Sequence, residues 1–159
     1  MPAVLGAVAK MGLTIDRETH TIRLVREFTA PSTSIFEAWT LPEQVACWWD
    51  PAGEQLAECE IDLRPGGTFR FVSHGHPDMP FSGTYREIVR PDRLVFDAMG
   101  ANGRVLLEED DGQTRMVVEI QCQSADHLDQ FLNAGVDVGT AQTLDNLVAY
   151  AERRLAAAP

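Results

Sequence analysis

Hydrophobic and polar positions alternate over short stretches for most of the chain, and only near the C-terminus does the period lengthen to that of a helix. The first alternating run, Thr19 to Phe28, reads THTIRLVREF and predicts a strand with Ile22, Leu24, Arg26 and Phe28 on one face. A charge on that face needs a partner or a wet cavity, because an unpaired buried charge costs several kcal/mol. Pro31 then fits the first turn of a helix, and Ile35, Phe36 and Trp39 form its apolar face. Thr40-Leu41-Pro42-Glu43 has the form of a capping box, so a second short helix is expected to carry Val45 toward Trp48 and end at Asp50-Pro51-Ala52-Gly53.

Strand patterning resumes at Ala57 to Leu63, with Cys59, Ile61 and Leu63 opposite Glu58, Glu60 and Asp62. Arg64-Pro65-Gly66-Gly67 has the chemistry of a type II turn and leads into Thr68 to His74, where Phe69 and Phe71 share a side. Turn signals at His76-Pro77-Asp78 with Pro80, at Pro91-Asp92, at Asn102-Gly103 and at Asp111-Gly112 separate further strands. These cover Phe81 to Val89, Arg93 to Met99, Val105 to Glu109 and Thr114 to Cys122. The sum is about seven strands, many for one sheet unless it curls.

After Ser124, a predicted N-cap, a short helical piece carries His127, Leu128, Phe131 and Leu132 and is interrupted at Gly135 and Gly139. A longer helix follows, with Leu144, Leu147, Val148, Ala151 and Leu155 as an apolar stripe. The curled sheet is the surface available to receive it. The predicted class is therefore α+β: an antiparallel sheet around a long C-terminal helix, with two short helices between the first and second strands. Residues 1–18 read as an N-terminal segment expected to be poorly ordered, and 19–159 as one domain.

Composition changes this picture little. The 159 residues suffice for one continuous core, and 45% hydrophobic with 23% charged residues is ordinary for a globular chain. A formal charge of −11 argues against nonspecific binding to nucleic acid or to an anionic membrane. Cys47, Cys59 and Cys122 are odd in number and lack CxxC spacing, so reduced, mostly buried thiols are expected. The run from Pro2 to Leu13 is too short to span a bilayer and lacks the positive start of a signal peptide, which makes a cytoplasmic location the expectation.

The order of elements resembles the helix-grip fold of START and Bet v 1-like (SRPBCC) domains, and within it the branch related to the C-terminal domain of the activator of Hsp90 ATPase. The motifs that carry the resemblance are Arg26-Glu27-Phe28-Thr29-Ala30-Pro31 leading to Phe36-Glu37-Ala38-Trp39-Thr40, and Trp48-Trp49-Asp50-Pro51 with Gly53. Asp62-Leu63-Arg64-Pro65-Gly66-Gly67 and Gly139 through Leu147 complete them. The resemblance covers nearly the whole chain from Thr19 and implies a ligand cavity between sheet and helix. Where this branch commonly places Gly-Trp, the chain has Gly139-Thr140, so one aromatic wall is either missing or supplied by Phe131. The usual insert after the third strand is here the short Ser73 to Pro80 segment.

Candidates for lining the cavity are Trp39, Trp48, Trp49, Phe69, Phe71, Phe81, Phe96, Met116, Val118, Phe131 and Leu144, with plain core packing as the alternative for each. Trp48 and Trp49 are adjacent and cannot both face inward on a regular element, which places one at the cavity mouth. Arg26 and Tyr85 are the polar candidates: Arg26 either orients an anionic ligand group through its planar fork or forms an ion pair across the sheet. Glu119 alternates outward, and Asp62 with Arg64 reads as a surface pair. His74-Gly75-His76 with Asp78 lacks the ligand set of a zinc site, and Glu108-Glu109-Asp110-Asp111 lacks the alternation of a calcium loop, so both read as solvated.

No metal or cofactor is expected. No nucleophile elbow is present, and burial acting on Asp97 or another carboxyl is the one route to acid–base chemistry. The leading reading is a binder of a small hydrophobic or amphipathic molecule. The alternatives implied by the resemblance are an enzyme of the polyketide cyclase or aromatase kind and a protein-interaction or chaperone-accessory module. Related domains often pair, so a homodimer is carried as an expectation although no sequence feature marks its interface.

Overall fold

The computed structural model describes residues 12–157. Eight antiparallel strands form one curled, unclosed sheet: β1 (Leu13–Asp16), β2 (Thr21–Phe28), β3 (Glu58–Ile61), β4 (Thr68–Val72), β5 (Phe81–Val89), β6 (Arg93–Ala98), β7 (Ala101–Asp110) and β8 (Gln113–Gln121). Their order is β1-β2-β8-β7-β6-β5-β4-β3. Helices α1 (Ser32–Thr40) and α2 (Pro42–Trp48) join β2 to β3, and α3 (Ala125–Asn133) and α4 (Val136–Ala157) follow β8. The α+β architecture expected from the patterning, and the helix-grip fold that the resemblance implies, are present, with one more strand than counted. The addition is β1, which pairs with β2 from Leu13↔Leu24 to Asp16↔Thr21 and moves the two short helices to between the second and third strands. The leading segment's residues 1–11 lie outside the described residues.

Two turns follow from residue chemistry as expected. The Gly67 N–H donates to Arg64 O at 2.8 Å and Gly66 has φ +85°, the type II geometry that favours glycine at the third position. Asp111 and Gly112, at φ 55° and 79°, close the β7–β8 hairpin with the primed turn that matches strand twist.

The β6–β7 hairpin corrects the reading of Asn102-Gly103. Its two-residue turn is Met99-Gly100, at φ 56° and 78°, while Asn102 and Gly103 pair with Asp97 and Phe96 inside the ladder. Glycine stands at 103 because a Cβ there would lie 2.6 Å from the Phe96 ring.

Helix boundaries show where local signals were overridden. Thr40 does not cap α2: its hydroxyl donates back to Phe36 O at 2.8 Å, and the N-cap position belongs to Leu41 without a side-chain bond. Pro31 is the N-cap residue of α1, not a first-turn residue, and cannot cap with its side chain. Glu109 supplies the missing acceptor from β7, its Oε1 receiving the Ser32 N–H at 2.8 Å and hydroxyl at 3.0 Å. Glu109 is thus not merely part of a solvated acidic turn. Ser124 caps α3 as expected, its Oγ accepting from the His127 N–H at 3.1 Å. Gly135 separates α3 from α4, but Gly139 lies inside α4 and does not interrupt it.

The core fills the concave side. Ile22, Leu24, Val105, Met116 and Val118 from the sheet meet Ile35 and Phe36 of α1, Val45 and Trp48 of α2, and Leu144 and Leu147 of α4. Leu155, at the far end of the predicted stripe, is 49% exposed.

Candidate functional site

The run Thr143-Leu144-Asp145-Asn146-Leu147 sets the position of α4 residue by residue. Leu144 and Leu147 are buried in the core. Between them the Thr143 hydroxyl donates to Trp49 O at 3.0 Å, the Asn146 amide donates to Asp50 O at 2.9 Å, and Asp145 accepts from Arg26 Nε at 2.9 Å. One helical turn thereby fixes the end of α2 on one side and β2 on the other. Trp48, fully buried, donates its indole N–H to Ala38 O at 3.0 Å, so its neighbour Trp49 is left to face the space under α4.

That space is a cavity of about 260 Å³ between the sheet and α4. Trp39, Trp49, Phe81, Phe96, Val118, Phe131 and Leu144, all anticipated from the sequence, line it. An aromatic layer backs the Trp49 side: Trp49 meets Phe71 edge to face at 4.9 Å and Phe81 at a tilt at 5.0 Å, and Phe69 lies 5.5 Å from Phe96 and 5.1 Å from Tyr85.

The remaining anticipated residues sit elsewhere. Phe69, Phe71 and Tyr85 line a much smaller recess behind Trp49 and Phe81. Trp48 and Met116 are fully buried packing residues, and Met116 Sδ accepts from the Trp39 indole N–H at 3.3 Å. Arg26 is not on the cavity wall. Its guanidinium is engaged by Asp145, by Val25 O at 2.9 Å and by Ala141 O at 3.3 Å. The ion pair weighed for Arg26 exists, with its partner on the helix instead of across the sheet.

Burial pushes the Tyr85 phenol up from its ordinary value, with the neighbouring Cys59 adding to the shift. Cys59 is itself pushed up to about 11, chiefly by burial and further by Glu43 and Glu60. Asp97 goes the other way from the neutral carboxyl considered above. Burial raises it, but hydrogen bonds from Asn102 and Arg86 and the charge of Arg86 outweigh that and hold it below the usual range. Glu119 pairs with Arg104 at 2.9 Å, and Asp62 with Arg64 at 2.9 Å. His74, His76 and Asp78 are exposed, and no group of three or more metal-ligating side chains comes together among the described residues.

Gly139 and Thr140, where the sequence pointed to a missing aromatic wall, also line it, and residues not anticipated complete it: Pro51, Ala98, Met99, Ala101, Gly103, Ile120, Val136 and Thr143. Ile120 was legible, since it continues the alternation of Met116 and Val118. Ala101 and Gly103 were hidden by the misplaced turn. Met99, 62% exposed, marks the rim. The Gln123 side-chain amide donates to Gly100 O at 2.7 Å, and the His127 ring, whose Nδ1 accepts from the Gln123 N–H at 3.0 Å, reaches Met99 O through Nε2 at 3.3 Å. This latch joins α3 to the β6–β7 hairpin, and His127 holds Phe131 edge to face at 4.6 Å.

A curled antiparallel sheet closed by a long C-terminal helix, with an apolar cavity between them, defines the helix-grip class of START and Bet v 1-like domains. Within that class the chain belongs to the family described as activator of Hsp90 ATPase homolog 1-like proteins, whose model matches residues 29–152. Among solved structures it is similar to protein Ms6760 from Mycobacterium smegmatis, at 23% identity and TM-score 0.77 over 89% of this chain and 97% of that one. It is also similar to protein NE0264 from Nitrosomonas europaea, at 23% identity and TM-score 0.78 over 89% and 99%. A protein from Rhizobium leguminosarum is 28% identical, with TM-score 0.65 over 84% and 94%. No curated protein sequence matches the chain. Among the described residues, no helix is long and apolar enough to cross a membrane.

Proposed function

We propose that the protein binds a small hydrophobic molecule in the cavity between the curled sheet and α4. The observation that carries this reading is the cavity itself, about 260 Å³ of space lined by aromatic and aliphatic side chains in an otherwise packed interior. The cavity opens at the Met99 rim and admits water-sized molecules, and displacing poorly held water from apolar walls by an apolar molecule gains affinity, which supports an occupant. The described lining carries no ionisable side chain, which supports binding over acid–base turnover.

Native mass spectrometry of freshly purified protein tests the proposal. The expected spectrum contains a complex with one noncovalent small molecule that reverts to the bare chain on collisional activation. A bare chain that also takes up none of a panel of added hydrophobic compounds opposes it.

A further inference from the structure

Resting on that reading of the cavity as a binding site, we infer that its ligand is a neutral, roughly two-ring molecule with a single hydroxyl or carbonyl, and that Thr140 is the residue that selects this polar group. Size comes first. An apolar cavity of about 150 Å³ accepts benzene, so one of 260 Å³ accommodates on the order of ten ring atoms.

Charge comes second. No described lining residue is ionisable, and Arg26 is committed to Asp145 and two backbone carbonyls away from the wall. A carboxylate entering this space gains no counterion, and the chain's formal charge of −11 opposes its approach.

The polar group comes third. Two threonines of α4 line the cavity. The Thr143 hydroxyl is spent on Trp49 O, whereas the half-buried Thr140 hydroxyl makes no hydrogen bond within the described residues, not even to the preceding turn of its own helix. A hydroxyl can both donate and accept, so Thr140 suits a ligand hydroxyl or carbonyl equally. With Gly139 beside it carrying no side chain, a flat ring has room to lie against this part of α4.

The test uses naphthalene, 2-naphthol and ionised 2-naphthoate, followed by amide chemical-shift titration of the wild-type chain and of Thr140→Val, which keeps the side-chain shape. The wild type is expected to bind 2-naphthol at least about tenfold more tightly than 2-naphthoate, a floor set well below the full penalty for an unpaired buried charge because the carboxylate can stay at the open rim. Thr140→Val is expected to weaken 2-naphthol about fivefold, the worth of one hydrogen bond, and to leave naphthalene unchanged. Equal binding of naphthol and naphthoate overturns the charge selection. An equal effect of Thr140→Val on naphthol and naphthalene, or none on either, overturns the role of Thr140 while leaving the cavity a binding site. Failure of all three probes to bind either protein overturns the two-ring ligand, and binding of other hydrophobic compounds in the mass-spectrometric panel then separates that failure from failure of the binding reading.

Discussion

Arg26 and Asp145 form one ion pair with two very different members, for 14% of the arginine side chain is exposed and 69% of the aspartate's. Arg26 also donates to two backbone carbonyls, which its loss would leave without that partner, while the exposed Asp145 gives up little solvation. Arg26→Ala is therefore expected to lower stability by about 2 kcal/mol and Asp145→Ala by under about 1 kcal/mol, measured by urea unfolding. Equal losses would contradict this account. Neither change should alter affinity for a neutral ligand.

Cys59 gives a pH signature on the same scale. Its thiol is pushed from the ordinary 9.0 to about 11, so the folded chain holds the proton longer than the unfolded one. The associated stability is complete below pH 9 and is lost as pH rises toward 11. Cys59→Ala should flatten the fall of the urea midpoint across that window. Part of the fall remains in that variant, because Cys122, Tyr85 and Tyr150 are shifted the same way by burial, Cys122 losing its contribution from pH 9 upward and the two tyrosines from pH 10 upward.

Elements in this chain are specified partly by their own residues and partly by distant ones. The α3 start was legible because Ser124 and the N–H it receives are three residues apart. The start of α1 was not, because its cap comes from Glu109, 77 residues away. Glu109→Ala is expected to cost about 1 kcal/mol, a typical capping loss, whereas Asp110→Ala in the same acidic run should change the unfolding midpoint little. Strand patterning located the meander, since period-two alternation is a local property of half-buried strands. It failed at Met99-Gly100 because Asn102-Gly103 is the stronger turn signal. What overrode that signal was a packing demand, the Phe96 ring over Gly103, which no local pattern records.

At the scale of the molecule, aromatic residues foretold an apolar interior but not how it divides into core and cavity. Trp48 and Trp49 have the same side chain and adjacent positions. One donates to Ala38 O in the core, and the other faces the cavity, because α2 ends between them and Thr143 and Asn146 hold the following carbonyls. The glycine and threonine on α4 that line the cavity stood at one of the two places where the sequence departs from the pattern of the family it resembles.

The central claim, that this opening is a binding site, is tested most directly by closing it. Gly139 lines the cavity, and a Cβ built there meets nothing within 4 Å, so Gly139→Phe introduces a ring into open space on a helix that gains from losing its glycine. Calorimetric titration of both proteins with 2-naphthol should show saturable binding to the wild type, and a loss of about tenfold or more in the variant, with thermal stability kept or raised. Undiminished binding to a folded Gly139→Phe protein would contradict the account.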